Sequence, residues 1–384
     1  MAVLDPGDRG AIALAEKIFM VLHEGRFTAT YKYAVLLGLM DLCFEKRSRA
    51  GMAPDAVTTR ELAGKMVEIY WPHSAPYQTG SGLRVLKQGG GGRDSQAEIL
   101  AAIVKFRQRS SSDPSSPLAQ ARANAQGPFD GLINFVEWKL IQMPLPRLQV
   151  IGNLQERFLY TLGWDQDVRR KDVTRYQEGH SGPFDNRILL RPGVAHDLVQ
   201  LNRLLRPLIH RKWALKVAQM NRLEESRLEE FLFGVDRIPT DAVRPGLQQI
   251  QHNSCFYCGD LLRRATGWRP EVDHFIPWAR YPDNGIENLV VSHERCNHYK
   301  RDFLAADEHV ARWRVRFERG SPLASDVRQI AEDTGWERNP DRTFNVARAM
   351  YLGLHRDAKL WLCKDEFVAV NMPALVQAFE GPGG

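Results

Sequence analysis

The sequence lacks the features that mark membrane-spanning and secreted proteins. The longest uninterrupted apolar stretch near its start covers only residues 34–40, far fewer than the roughly 20 that a membrane-spanning helix needs. Asp5, Asp8 and Glu16 interrupt the apolar residues of the N-terminus, and no basic leader precedes them, so the pattern differs from that of a secretory signal. We therefore expect a cytoplasmic protein with no membrane partner.

Cysteine is also scarce, with five residues in the whole chain. Cys255, Cys258 and Cys296 lie within one short stretch, whereas Cys43 and Cys363 are isolated. So few and so clustered cysteines do not suit the disulfide framework of a small secreted domain. The clustering favours metal binding over oxidation.

The remaining composition is that of a folded globular protein. Hydrophobic residues make up 43% and charged residues 26% of the 384 residues, values that exclude a disordered chain. A single domain usually has about 100 to 200 residues, so we expect at least two cores. The formal net charge of +6 favours an anionic partner such as nucleic acid, although charge alone does not identify one.

Hydrophobic periodicity predicts that the first seventy residues are helical. Apolar residues recur at helical spacing over residues 11–22, and a second apolar-rich segment covers residues 30–44. A third helix is predicted over residues 60–71, because Thr58 and Thr59 stand before it as candidate caps.

Later segments show the same helical pattern with one exception. Turn residues and apolar residues over 145–162 predict a short hairpin. Residues 193–220 are expected to form one long amphipathic helix, or two helices broken at Pro207. Towards the C-terminus, helices are predicted over residues 307–317 and 344–362.

Two pairs of metal-ligating residues share one spacing. Cys255-Phe-Tyr-Cys258 is followed by His293-Glu-Arg-Cys296, so each pair holds two ligands separated by two residues. A structural zinc ion needs four nitrogen or sulfur ligands in a closed tetrahedron, and two such pairs supply them. We predict a Zn²⁺ site on these four residues, with His298 as an alternative to His293.

The residues between and after these pairs carry a second motif. The chain reads Glu-Val-Asp-His-Phe-Ile-Pro-Trp at 271–278, Asn-Leu-Val-Val at 288–291 and Cys-Asn-His-Tyr-Lys-Arg-Asp at 296–302. Over about residues 250–305, this arrangement resembles the HNH endonucleases of the ββα-metal superfamily. The three positions that define that family are filled here by His274, Asn288 and Asn297, which makes this an H-N-N variant.

The resemblance implies a role for each of these positions in phosphodiester hydrolysis. His274 would be the general base that deprotonates water. Asp273 and Asn297 would hold the catalytic cation, Mg²⁺ or Mn²⁺, since oxygen ligands suit hard divalent ions. Asn288 would pin the loop of the hairpin or orient His274.

Two basic residues follow Asn297 on the helix that the resemblance implies. Lys300 and Arg301 are expected to contact nucleic-acid phosphates. The alternative is that both belong to a solvated helix face.

The predicted fold class is α+β and mostly α-helical, with five consecutive parts. These are an N-terminal helical region (1–110), a flexible linker (111–127), a mainly helical region with a short hairpin (128–245), a zinc-stabilised ββα-metal nuclease module (246–306) and a helical C-terminal tail (307–384). The nuclease motif is too small to choose its own target. We therefore expect the N-terminal helical domain to supply target binding, a contact with a protein partner or a second copy, or restraint of the nuclease.

The functional prediction is a metal-dependent HNH endonuclease that cuts DNA in defence against foreign DNA. The architecture is similar to that of single-chain HNH nucleases of bacterial immune systems. One alternative is a nuclease that acts on structured DNA or RNA in repair or processing. Another is a zinc-knuckle nucleic-acid-binding protein whose cutting is dormant until a partner engages it.

Overall fold

The chain divides into two compact units. Met1–Lys46 and Ala53–Arg237 form the first unit, and Arg47–Met52 and Ile238–Gly384 form the second. The computed structural model describes residues 6–24, 29–48, 51–80, 82–89, 96–111, 113, 116–165, 167–224, 227–234, 240–262 and 270–380.

The first unit is mainly helical, and one apolar helix lies at its centre. This helix, α2, is buried from Tyr33 to Phe44 and packs against α3, α9 and α10. The apolar run at residues 34–40 is therefore a core helix, which explains why it is apolar on all sides. The helices of the unit are α1 (Pro6–Glu24), α2 (Tyr31–Glu45), α3 (Thr59–Tyr70), α4 (Glu98–Ser110), α5 (Leu118–Asn124), α6 (Gln126–Gln142), α7 (Pro144–Arg147), α8 (Arg170–Gln177), α9 (Val194–Gln200), α10 (Asn202–Asn221) and α11 (Leu228–Phe233).

Short strands complete the first unit. Three of them, β1 (Ala56–Thr58), β6 (Tyr160–Trp164) and β7 (Phe184–Leu190), form an antiparallel sheet in the order β1-β7-β6. The others form two hairpins, β2 (Tyr77–Thr79) with β3 (Gly82–Arg84) and β4 (Val150–Ile151) with β5 (Leu154–Gln155).

Most sequence-based predictions for this unit are confirmed. Helix α3 begins as predicted, because the Thr58 side chain accepts a bond from Glu61 N (3.2 Å) and the Glu61 carboxylate accepts one from Thr58 N (2.8 Å). This reciprocal pair is a capping box. The predicted hairpin is β4–β5, and Gly152 opens its turn with a positive φ of 60°, a conformation that glycine adopts readily.

The predicted break at Pro207 is wrong. The two helices of this segment meet at Leu201, where α9 ends, and Pro207 lies inside α10. A proline in the second turn removes one backbone hydrogen bond without ending the helix, because packing of the helix compensates for the loss. Ile209 and Trp213 of α10 are fully buried.

The second unit places two hairpins among six helices of the described residues. The hairpins are β8 (Pro270–His274) with β9 (Leu289–His293), and β10 (Lys359–Cys363) with β11 (Glu366–Ala369). The helices are α12 (Arg244–Ile250), α13 (Glu294–Lys300), α14 (Asp307–Arg314), α15 (Pro322–Thr334), α16 (Pro340–Leu352) and α17 (Met372–Glu380). A buried apolar cluster joins α12, β9 and α15 through Val243, Leu247, Ile286, Leu289, Val291, Val327 and Ala331.

The helix predicted over 344–362 is wrong beyond Leu352, where α16 ends. Residues 359–363 instead form β10, which pairs antiparallel with β11, and the backbone of Trp361 also pairs with a more distant segment of this unit. Trp361 N donates to Leu304 O (2.9 Å), and Trp361 O accepts from Ala306 N (2.7 Å). Tertiary pairing has thus overridden the local helical pattern.

The predicted fold class, α+β and mostly helical, is confirmed by these elements. The five-part division of the chain stays a prediction, and α5 (Leu118–Asn124) lies within the segment predicted as a linker. Of that segment, residues 112, 114 and 115 lie outside the described residues. Among the described residues, no helix is long and apolar enough to cross a membrane.

Candidate functional site

The first part of the site is a cluster of three thiols and one imidazole. Cys255 and Cys258 lie on the turn after α12, His293 ends β9, and Cys296 lies one turn into α13. Their ligating atoms all fall within 4.8 Å of one another. A tetrahedral zinc site with Zn–S bonds of about 2.3 Å separates its sulfur ligands by about 3.8 Å. The four residues could therefore hold a zinc ion with small adjustments.

Hydrogen bonds prepare the cluster for a cation. His293 Nε2 donates to the backbone oxygen of Leu261 (3.3 Å), so Nδ1 keeps the lone pair and faces Cys258 Sγ at 3.4 Å. Such an outer bond orients a ligating histidine. The hydrogen bond between Cys296 and Cys255 lowers the pKa of the Cys255 thiol and raises that of Cys296, so Cys255 is the first of the two to become the thiolate that a metal needs. The alternative ligand His298 is exposed and is not part of this cluster.

The second part of the site is built on the hairpin β8–β9 and the helix that follows it. The two strands pair antiparallel, with Val272 opposite Val291 and His274 opposite Leu289. Helix α13 begins directly after β9 and packs against both strands. The order strand, strand, helix is the ββα arrangement that the sequence motif implied.

His274 ends β8, and one hydrogen bond fixes its ring. Its Nε2 lies 2.8 Å from Oδ1 of Asn284. An amide oxygen only accepts, so Nε2 carries the proton and Nδ1 keeps the lone pair. Burial lowers the pKa of His274 below its ordinary value, and the ring is therefore neutral at pH 7. A neutral imidazole with a free Nδ1 can accept a proton.

Asn288 clamps the loop between the two strands. Its side chain accepts from Ile276 N (2.7 Å) and donates to Ile276 O (3.2 Å) and to Asp283 O (3.0 Å). The side chain is fully buried, with 0% exposure. Of the two roles predicted for Asn288, this geometry supports the loop pin.

Acidic residues of β8 face polar residues of α13. Asp273 accepts from Lys300 Nζ (2.9 Å) and from the Tyr257 hydroxyl (2.5 Å). Two residues earlier on the strand, Glu271 accepts from Asn297 Nδ2 (2.9 Å). Glu271 and Asp273 share one face of β8, because alternate residues of a strand do, and Asn297 and Lys300 share one face of α13, because helix residues three apart do. The two strand residues can therefore contact the two helix residues. Strand and helix thus bring the side chains of Glu271, Asp273 and Asn297 to one side of the hairpin.

A comparison with known protein families identifies the segment that contains both parts of the site. A family model of HNH endonucleases matches residues 255–306. The segment belongs to the HNH endonuclease family. No curated protein and no solved structure matches the chain. The HNH module is that of a nuclease, a hydrolase that acts on nucleic acid.

The two basic residues predicted to meet phosphates differ in placement. Lys300 of the HNH module is fully buried, and its Nζ also donates to His274 O (2.8 Å). Arg301, the next residue, is exposed beyond the end of α13. A phosphate contact stays a prediction for both, and the buried ammonium of Lys300 weighs against it, because that group already neutralises Asp273.

The sequence analysis did not predict a role in the site for three residues of the HNH module. Glu271 was read only as part of the motif, although it lies against Asn297. Asn284 and Asp283 belong to an Asp-Asn-Gly run, a turn signal, but the sequence does not show where turn side chains point. In the structure, Asp283 is fully buried and accepts from Thr343 Oγ1 (2.6 Å) and from Arg342 Nη2 (3.2 Å).

The loop that carries Asn284 is held from outside the matched segment. Trp336 Nε1 donates to the backbone oxygen of Asn284 (2.8 Å), and Ile286 N donates to Glu337 O (3.0 Å). These bonds come from the residues between α15 and α16. The C-terminal tail therefore fixes the position of the group that orients His274.

Proposed function

We propose that this protein is a metal-dependent endonuclease that hydrolyses phosphodiester bonds of DNA. The observation that carries the proposal is the arrangement around His274. A neutral imidazole has its Nε2–H committed to Asn284 (2.8 Å), which leaves Nδ1 as the base. Asp273 precedes it on the same strand, and Asn297 lies on the helix packed against that strand.

In this proposal, His274 Nδ1 removes a proton from water as the water oxygen attacks phosphorus. The new bond joins that oxygen to phosphorus, and the bond from phosphorus to the leaving ester oxygen breaks. His274 is the catalytic base, and Asn284 is a positioning residue that acts through it.

The donor set fits a hard divalent cation such as Mg²⁺ or Mn²⁺. Asp273 offers a carboxylate, and Asn297 donates its Nδ2 to Glu271, so its amide oxygen is its remaining ligand atom. Oxygen ligands of this kind suit both ions. Held there, the cation would stabilise the negative charge that develops on the phosphate. Lys300 balances the charge of Asp273 at 2.9 Å and ties α13 to β8.

The thiol and imidazole cluster is proposed as a structural Zn²⁺ site. Its four ligands come from the turn before β8, the end of β9 and the first turns of α13. A zinc ion there would link these elements, and its binding energy would contribute to folding. No fifth position is needed for this role, since structural zinc sites are closed.

The test is incubation of the purified protein with supercoiled plasmid DNA and, separately, with linear RNA. Each reaction is run with EDTA, Mg²⁺ or Mn²⁺, and the His274→Ala variant is the matched control. We expect nicked or linear plasmid only with a divalent cation and only with wild-type protein. Cutting confined to RNA would support the processing alternative. Binding without cutting by either protein would support the dormant zinc-knuckle alternative.

We further propose that the cutting serves defence against foreign DNA. The support is architectural. The segment that matches the HNH endonuclease family, residues 255–306, is joined to a separate compact unit of the chain. That unit would bind the target, a protein partner or a second copy. The test is phage infection and plasmid transformation of bacteria that express the wild-type protein or His274→Ala. Equal infection and transformation in both strains would refute the defence role without bearing on nuclease activity.

A further inference from the structure

A cavity of about 720 Å³ lies within the first unit, away from the HNH module in sequence. Its walls come from the end of α6, from α7, the hairpin β4–β5, strand β6 and the start of α8. Sites for small molecules usually have volumes of about 300 to 1,000 Å³. The cavity therefore has the size of a small-molecule site and is much larger than a single phosphate ion needs.

The lining of this cavity is strongly basic. Arg147, Arg157, Arg169 and Arg170 all line it, whereas Asp165 is its only acidic residue among the described residues. The four arginines come from three separate parts of the chain, so they do not simply continue one charged helix face. A guanidinium group offers paired N–H donors that match phosphate oxygens, and it stays charged at any physiological pH.

Several arginines of the same unit are neutralised by carboxylates. Arg60 pairs with Glu137, Arg187 with Asp185, and Arg206 with Asp41. Within the part of the chain that the structure describes, no carboxylate forms an ion pair with any of the four cavity arginines. Four like charges around one cavity repel each other, and an anion bound between them would relieve that repulsion.

Aromatic side chains line the same cavity. Trp138 is half-buried in its wall, and Trp164 and Tyr160 contribute buried rings. A flat aromatic ring is a stacking surface for a nucleobase, whichever base it is. Phosphate donors and a stacking ring in a cavity of this size are the two features that a nucleotide needs.

We propose that this cavity binds a nucleotide, with its phosphates on the arginines and its base against Trp138. The volume favours one nucleotide over a nucleic-acid strand, which would need a longer groove that follows the backbone. The inference does not rest on nuclease activity, because it concerns other residues and its test measures binding alone.

The experiment is equilibrium dialysis of the full-length His274→Ala protein with ATP, GTP, CTP and UTP in EDTA. The variants are Arg157→Ala, Arg170→Ala and both together. Arg175→Ala is the matched control, since Arg175 is exposed on the same helix as Arg170 but does not line the cavity. Circular dichroism and thermal unfolding verify that every variant is folded.

We expect at least one nucleotide to bind, with affinity about tenfold lower for each arginine removed and unchanged for Arg175→Ala. A single-stranded dT10 oligonucleotide is dialysed in parallel. No binding of any of the four nucleotides would overturn the proposal, and so would equal binding by the double variant. Arginine-dependent binding of dT10 without nucleotide binding would also overturn it, because the cavity would then be a strand contact.

Discussion

Replacing Asn284 by alanine tests whether its side chain orients the catalytic base. The change removes the acceptor 2.8 Å from His274 Nε2 and leaves intact the backbone oxygen that Trp336 binds. A neutral hydrogen bond contributes about 0.5 to 1.5 kcal/mol. Since about 1.36 kcal/mol corresponds to a tenfold change in rate, we expect the cleavage step to slow by about 2- to 13-fold.

The assay is single-turnover nicking of supercoiled plasmid at saturating protein, with DNA affinity measured separately. Asn284→Asp keeps an oxygen acceptor and should restore most of the rate. Adding Asn284→Ala to His274→Ala should cause no further loss, because the orienting residue acts only through the base. Replacement of Asn371, an exposed cap of α17, is the control. An unchanged rate for Asn284→Ala, or equal losses for alanine and aspartate, would refute this reasoning.

Three further predictions concern the base, the zinc cluster and the loop. His274→Ala should reduce the cleavage rate by about 10²- to 10⁴-fold while DNA affinity in a gel-shift assay stays unchanged; wild-type cutting would remove His274 from the mechanism. Elemental analysis should find about one zinc per chain, and Cys258→Ser should lose it and unfold at a lower temperature; a metal-free, equally stable protein would contradict the zinc site. Asp283→Ala should destabilise the protein by about 2 to 6 kcal/mol in urea unfolding, because Thr343 Oγ1 and Gly285 N lose their buried acceptor and each such donor costs about 1 to 3 kcal/mol; the exposed Asp341, changed likewise, should cost less than about 1 kcal/mol.

The cluster of three thiols and one imidazole was predictable because each pair of its members is close in sequence. A spacing of two residues brings both members of a pair to one turn, whatever the rest of the fold does. The HNH residues were predictable for a similar reason, since β8, β9 and α13 follow one another with only one loop between them. Residues of the site that are close in the sequence are therefore also close in the structure.

Contacts over longer separations were not predictable in this way. Lys300 was expected to be exposed, yet it reaches back 26 residues to the His274 carbonyl. Nothing in the local pattern distinguishes a lysine that faces solvent from one that faces a strand. The same limit applies to the backbone bonds that Trp361 of β10 makes with Leu304 and Ala306, which add to the local pairing of β10 with β11.

The buried carboxylates of the loop show that the matched segment is not a complete folding unit. Asp283 and Glu287 are 0% and 1% exposed, and a buried carboxylate without a partner costs several kcal/mol. Both find their cations in the C-terminal tail, Arg342 for Asp283 (3.2 Å) and Arg338 for Glu287 (3.2 Å). Without the tail these charges would be unpaired, and the loop that carries Asn284 would lose its position. The tail is therefore a structural part of the HNH module, and the residues that orient His274 extend well past residue 306.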